Sequence, residues 1–422
     1  MINKQLSNLL KQRYGKAVIA GCLLFIIAGL LSGLNFANNW QGNYDYYHSK
    51  EFTETFEEFP ENFTYWDENL QKEVPYESID DFRTPTYPLF VNYSSENIRD
   101  FRSYIADKSY PEYSSELYNL RFAKDYNEDY PYEWNNQQSS FTSQPVPVIF
   151  LAIGFLLFFI DLKTSFNTLL FSSGFNRKEI FKGKILMVGV PLLAAYVVSL
   201  LAYLTVLYAK IPHEYINAPL SVFLNCIFSL LVTAIICYAA GCFIGVLTGN
   251  LIFGPLTLVG FGLVSMGLTY SINEVLFALE NRPISDYTYR DILFLEFGKN
   301  TGDWQAWLSW GVLAVIILWF SQKAFTQISL EENGAYLLLP KWRLGIFLLM
   351  VTYVTSIIIL PTIVDYLYPR GIMEIEPAQI IIELIILFLT ILIICGSLVY
   401  SSAIKRRFIQ WQDRRQGYKA NS

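Results

Sequence analysis

The sequence is poor in the residues that carry most catalysis and most metal binding. It has two histidines in 422 residues, His48 and His213, and five cysteines. The histidines stand far apart and no His/Cys/Asp grouping has metal-ligand spacing, so no metal centre is expected. Cys22, Cys226, Cys237, Cys242 and Cys395 all lie inside apolar runs. There they read as small packing residues, not as a disulfide framework. No Gly-x-x-x-x-Gly-Lys-Ser/Thr loop is present, which excludes P-loop binding of nucleotide phosphates by this chain. A Ser/His/Asp arrangement with its elbow motif is missing too. Charged residues make up only 16% of the chain. Catalysis, a resident cofactor and a nucleic-acid partner are not expected.

Long apolar runs take their place. The chain is 53% hydrophobic with a mean hydropathy of +0.30. Runs lie at about 17–36, 146–162, 185–208, 218–247, 251–271, 306–320, 344–364 and 378–401. A hydrocarbon core about 30 Å thick demands helices of about this length. The fold predicted is an all-α polytopic membrane protein with about eight transmembrane helices, six plus two. The first run follows Lys4, Lys11, Arg13 and Lys16. It reads as a retained signal-anchor helix, with a cleaved signal peptide as the alternative.

Orientation comes from the basic residues. The N-terminal tail has four Lys/Arg and no acid. The connection after the second run has Lys163, Arg177, Lys178, Lys182 and Lys184 against Asp161 and Glu179, and the C-terminal tail is basic as well. Residues 272–305 reverse the balance, with six acids against three bases. Eight spans with both termini cytoplasmic satisfy every connection.

Residues 37–145 hold 21 Asp/Glu against 8 Lys/Arg, together with 14 of the 29 tyrosines. That aromatic content exceeds what a disordered acidic linker carries. The segment reads as a folded extracytoplasmic domain, mixed α/β or irregular, so the acidity of the chain belongs to this insert. The expected organisation has residues 1–36 as an amphipathic N-terminal helix and span one, and 37–145 as the acidic domain. Spans two to six occupy 146–321, including the connection 161–184; a cytoplasmic link fills 322–343, spans seven and eight 344–401, and a basic tail 402–422. Ile2, Leu6, Leu9, Leu10 and Tyr14 recur at helical spacing. They fit either an interfacial amphipathic helix or a helical extension of span one.

Two features inside the spans stand out. Glu383 lies near the outer end of the last run, almost the only acid at bilayer depth. It reads as a snorkelling or helix-paired carboxylate, or as an intramembrane polar site for substrate or protons. Gly241, Gly245 and Gly249 recur every fourth residue. Such spacing lets helix backbones approach closely, within one subunit or across a dimer seam.

The connection 161–184 reads DLKTSFNTLLFSSGFNRKEIFKGK. Leu162, Phe166, Leu169 and Leu170 suit a short helix on the membrane surface, broken at Ser172-Ser173-Gly174. The pattern Gly174-x-x-Arg177-x-x-Ile180-x-x-x-Lys184 resembles the ABC type II exporter permease family, the membrane-spanning subunit of bacterial ABC transporters. The order of elements over residues 1–321 is similar too, including a large insert after span one. So are the apolar patches Val275–Leu279 and Ile292–Phe297, placed where that family has an outer re-entrant stretch. Leu330–Gly334, Tyr336–Leu339 and Lys341-Trp342-Arg343 look like a segment of some Gram-positive members.

The resemblance implies a cytoplasmic ABC ATPase as partner, docked on this connection through Gly174, Arg177, Lys178, Glu179, Lys182 and Lys184. It also implies a second permease copy or a paralogue. The nearly uncharged spans suit an amphipathic or lipid-like cargo, an antimicrobial peptide among them. The rival reading is a receptor or scaffold that binds a cationic ligand through the acidic domain. Spans seven and eight depart from the family's commonest form.

Overall fold

The computed structural model describes residues 3–60, 63–67, 72–80, 145–212, 220–267, 271, 304–329, 334–367, 377–401 and 403–404. Most of the expected acidic domain lies outside these residues, as do Val275–Leu279, Ile292–Phe297, 330–333 and the basic tail beyond 404.

Helix α1 spans Lys4–Tyr47, 44 residues. Its N-cap is Asn3, whose side chain accepts the Gln5 N–H at 2.9 Å. At 1.5 Å per residue it is about 66 Å long, twice a hydrocarbon core. The amphipathic start is therefore continuous with the first long helix. The boundary expected at residue 36 is not a break, because 37–47 holds no proline and Phe36, Ala37 and Trp40 are buried. A short α2 (Lys50–Glu58) follows, capped by Ser49 and burying Phe52 and Phe56. Phe63 packs on both rings, at 5.7 and 4.9 Å. Strands β1 (Thr64–Asp67) and β2 (Lys72–Pro75) form an antiparallel pair with Tyr65 opposite Val74.

The remaining described elements are helices. In order come α3 (Pro145–Lys163), α4 (Phe166–Ser172), α5 (Arg177–Lys184), α6 (Val190–Lys210) and α7 (Leu220–Leu247). Then follow α8 (Phe253–Met266), α9 (Trp304–Gln327), α10 (Arg343–Leu367) and α11 (Pro377–Val399). A π turn at Ile185–Gly189 joins α5 to α6 without a break, just before Pro191, which has no N–H to donate. Among the described residues seven helices are long and apolar enough to cross a membrane: α1, α3, α5–α6, α7, α9, α10 and α11. The chain is a polytopic helical membrane protein. The run expected at 251–271 forms α8 over Phe253–Met266; 268–270 lie outside the described residues, and Ser271 beyond them donates its N–H back to the Gly267 carbonyl at 3.0 Å.

Helices α3, α7 and α9 end on the same side of the bundle, where Lys163 donates to the Gly249 carbonyl and Arg177 to those of Thr326 and Ile328. The main contacts set α1 on α6, α3 on α7, α7 on α9 and α10 on α11. Small residues make the first two contacts close. The Ser199 hydroxyl donates to the Phe25 carbonyl at 2.5 Å, and Gly29 lies against it. Between α3 and α7, a Cβ on Gly154 would sit 2.3 Å from the Tyr238 carbonyl. One on Gly241 would sit 2.0 Å from the Leu151 carbonyl, and one on Gly245 2.4 Å from that of Phe155. Gly249 meets Leu338 and the Ala335 carbonyl instead.

The α10–α11 pair has its own small core of Val351, Ile359, Ile391 and Cys395. It is tied back through polar contacts. Pro361 inside α10 cannot donate to the Ile357 carbonyl, and the buried Ser271 hydroxyl does so at 2.7 Å. Ser265 and Tyr353 join their hydroxyls at 2.7 Å. Tyr336, Leu337, Leu338 and Leu339, part of the expected cytoplasmic link, are buried, not solvated. They line up along the end of α7, with Leu338 N–H donating to Leu247 O and Gly249 N–H to Tyr336 O.

Candidate functional site

The connection between α3 and α6 forms an elbow. Ser165 turns the chain in a left-handed conformation (φ 58°), α4 follows, and Gly174 (φ +74°) turns it again. Glycine suits that second turn because a side chain is strained there. Asn176 then caps α5 by accepting the Lys178 N–H at 3.0 Å.

The inner side of this elbow holds a charge cluster. Asp161, in the last turn of α3, is 1% exposed, and Lys184 at the end of α5 is 0% exposed. Lys184 Nζ is 2.6 Å from Asp161 Oδ2 and donates to Asn167 Oδ1 at 2.8 Å. The ammonium also faces the rings of Phe158 and Phe325, at 5.2 and 5.5 Å. From α1, the Tyr14 hydroxyl donates to Asp161 Oδ2. Arg13 approaches Asp161 Oδ1 at 3.6 Å and donates to Thr164 Oγ1 at 2.9 Å. One carboxylate thus joins α1, α3 and α5. Buried charges persist only when paired and hydrogen-bonded in this way.

A second fastening runs from α5 to α9. Arg177 donates to the carbonyls of Thr326 and Ile328 at 3.0 and 2.8 Å, where α9 ends and its carbonyls lack helical partners. Its guanidinium lies 4.3 Å over Phe171. Phe158, Phe181 and Phe325 pack beneath, with centroids 5.1 to 5.8 Å apart. Replacing Arg177 by methionine is expected to cost about 1.5–3 kcal/mol, the range for hydrogen bonds to charged groups. Melting of the detergent-solubilised chain measures this; an unchanged midpoint would remove Arg177 as the fastening.

These positions sort the residues expected to meet a partner. Lys178 and Lys182 are exposed, Glu179 and Arg177 half-buried, and Gly174 exposed at the turn. The Lys184 side chain is buried and paired with Asp161 within the chain, so it does not stand on the exposed face of the elbow with Lys178 and Lys182. Leu169, expected on the apolar face of α4, is 52% exposed, whereas Leu162 and Leu170 are buried. Glu383 stands exposed near the start of α11, separate from the cluster. Asp161, Tyr14 and Asn167 were missed, although an acid ending an apolar run within a basic connection is a readable signal.

Beside the cluster a groove of about 840 Å³ runs between α1 and α3, with α6 and the π turn contributing to its floor. Its wall is apolar except at the Arg13–Tyr14–Asp161 end and at Ser32. Among the described residues no His/Cys/Asp/Glu group could hold a metal ion. Compared with family models, curated proteins and solved structures, the chain matches none.

Proposed function

We propose that the chain is the permease subunit of an ATP-driven exporter that moves an amphipathic or lipid-like substrate, energised by a separate cytoplasmic ATPase. In this reading both termini and the elbow are cytoplasmic, α8 belongs to an eighth crossing, and the acidic insert is an extracytoplasmic domain. A second copy or a paralogue completes the assembly.

The observation that carries the proposal is the construction of the elbow. Its outer face offers Lys178 and Lys182, while its inner face is fixed to α1, α3 and α9 through Asp161 and Arg177. A push on α5 therefore acts on α6, which continues it, and on three other helices. An ATPase that binds one arrangement of these helices more tightly when it holds ATP shifts the bundle toward that arrangement. Lys178 and Lys182 bind its acidic groups, and Glu179 supplies the opposite charge at the edge of the contact.

The test is a double charge reversal, Lys178→Glu with Lys182→Glu. Both side chains are exposed, so folding is expected to be unchanged. Co-purification of the ATPase should fall about tenfold or more, since like charges across an interface cost several kcal/mol. Undiminished association would sink the docking assignment, and absence of any associated ATPase would sink the permease reading.

A further inference from the structure

We propose that the groove between α1 and α3 binds one anionic phospholipid, with its phosphate on Arg13 and an acyl chain lying along α1. The assignment of this lipid to the inner leaflet rests on the topology proposed above; the ligand chemistry does not.

The shape fits a lipid chain. Arg13, Ala17, Gly21, Leu24, Ala28 and Leu31 of α1 face the groove at helical spacing. From Arg13 to Ser32 the stripe rises about 28 Å, well beyond one leaflet's half of a ~30 Å core, so a full acyl chain lies within it lengthwise. The floor is closed by buried Leu157, Val188 and Leu192, while Leu24, Leu31 and Leu156 on the rim are exposed. Hydrocarbon enters from the side. Ala17, Gly21 and Ala28 keep the channel open because they carry little or no side chain.

The polarity of the lining fixes which way the occupant lies. Charged groups stand at one end only, where Arg13 and Asp161 meet. The Asp161 carboxylate is already covered by Lys184, Tyr14 and Arg13, so it has no exposed face for a cationic ligand. Two cations against one carboxylate leave the groove's end with an excess positive charge. Arg13 is exposed and uses one N–H on Thr164. Its guanidinium has five N–H donors, which leaves several for a phosphate. Lys16, exposed three residues on along α1, adds to the same field. A zwitterionic headgroup would bring its own ammonium into that field, whereas an anionic headgroup brings none.

The experiment uses the full chain reconstituted in phosphatidylcholine vesicles. These are doped with equal amounts of either phosphatidylglycerol or phosphatidylcholine carrying a photoreactive acyl chain. The anionic probe is expected to label groove peptides of α1 and α3 about fivefold more than the zwitterionic one, the worth of one basic residue near an anionic lipid. Arg13→Gln should bring the two probes level, and Arg13→Lys should keep most of the preference. Ala28→Trp, remote from the charge cluster, should remove groove labelling by both probes. If Arg13→Gln does not fold, competition decides: unlabelled phosphatidylglycerol must displace the anionic probe better than unlabelled phosphatidylcholine does. Equal labelling or equal competition by the two headgroups overturns the site. Labelling that requires the probe in the outer leaflet overturns the topology and the leaflet assignment, and leaves the ligand chemistry standing.

Discussion

Replacing Asp161 by alanine is expected to destabilise the chain by about 3–5 kcal/mol, the cost of leaving a buried charge without its partner. The side chain it strands is Lys184, which is 0% exposed and would retain only Asn167 and two ring faces. Removing Lys184 instead should cost less. Asp161 would keep the Tyr14 hydroxyl and Arg13, a donor and a cation that still oppose its charge. The inequality between the two variants follows from the unequal sharing of partners and does not depend on the absolute scale. Replacing both together, Asp161→Leu with Lys184→Met, should recover most of the loss, since apolar substitutes for buried ion pairs are often neutral or stabilising. If the chain is the exporter subunit proposed above, the double variant should nevertheless stimulate the ATPase less, because the polar link from α1 to the elbow is gone. Melting of the solubilised chain and ATPase turnover in reconstituted vesicles separate the two effects. Single variants within about 0.5 kcal/mol of the parent, as at an ordinary surface site, would refute the role given to this pair.

Much of the helical framework is legible because a bilayer demands length and apolarity together. The runs at 146–162, 185–208 and 378–401 become α3, α6 and α11 with small shifts of boundary. Other features escape for separate reasons. Counting basic residues treats Asp161 and Lys184 as loop charges, since that rule carries no information on burial. The partner that completes the cluster, Tyr14, is 147 residues away from Asp161, and spacing within one segment cannot reveal it. Helix α1 runs past the apolar run into polar sequence because Phe36, Ala37 and Trp40 still find neighbours to pack on. Hydropathy reads solvent preference residue by residue and misses such support. Tyr336–Leu339 was masked by its charged flanks, although four consecutive apolar residues in a polar link already point to a buried strap. Gly241 and Gly245 were readable as a packing pattern, but only the structure names the Leu151–Phe155 backbone as what they meet.

That contact sets the second large effect. Gly241→Ala is expected to destabilise the chain by about 2 kcal/mol or more, with Gly241→Val worse, although alanine favours a helix over glycine by about 1 kcal/mol. The added Cβ would stand 2.0 Å from the Leu151 carbonyl oxygen and 2.9 Å from Phe155 N. Carbon and oxygen in close contact sit about 3.3–3.6 Å apart, so the helices must separate by roughly 1.3 Å. The obstacle is backbone, which has no rotamer to escape into. Overpacking of cores costs about 1–3 kcal/mol, and this case belongs at or above the upper end. Separation also pulls Gly154 away from Tyr238 and Gly245 away from Phe155, thinning the whole α3–α7 interface. In lipid nothing hydrophobic draws the two helices back together, because packing itself is what associates them. Gly311 in α9 is the control: a Cβ there meets nothing within 4 Å, so Gly311→Ala should leave stability unchanged or raise it by up to about 1 kcal/mol. If Gly241→Ala melts like Gly311→Ala and instead shifts the chain from dimer to monomer, the glycines form a seam between subunits, and the α3–α7 contact is not what they serve.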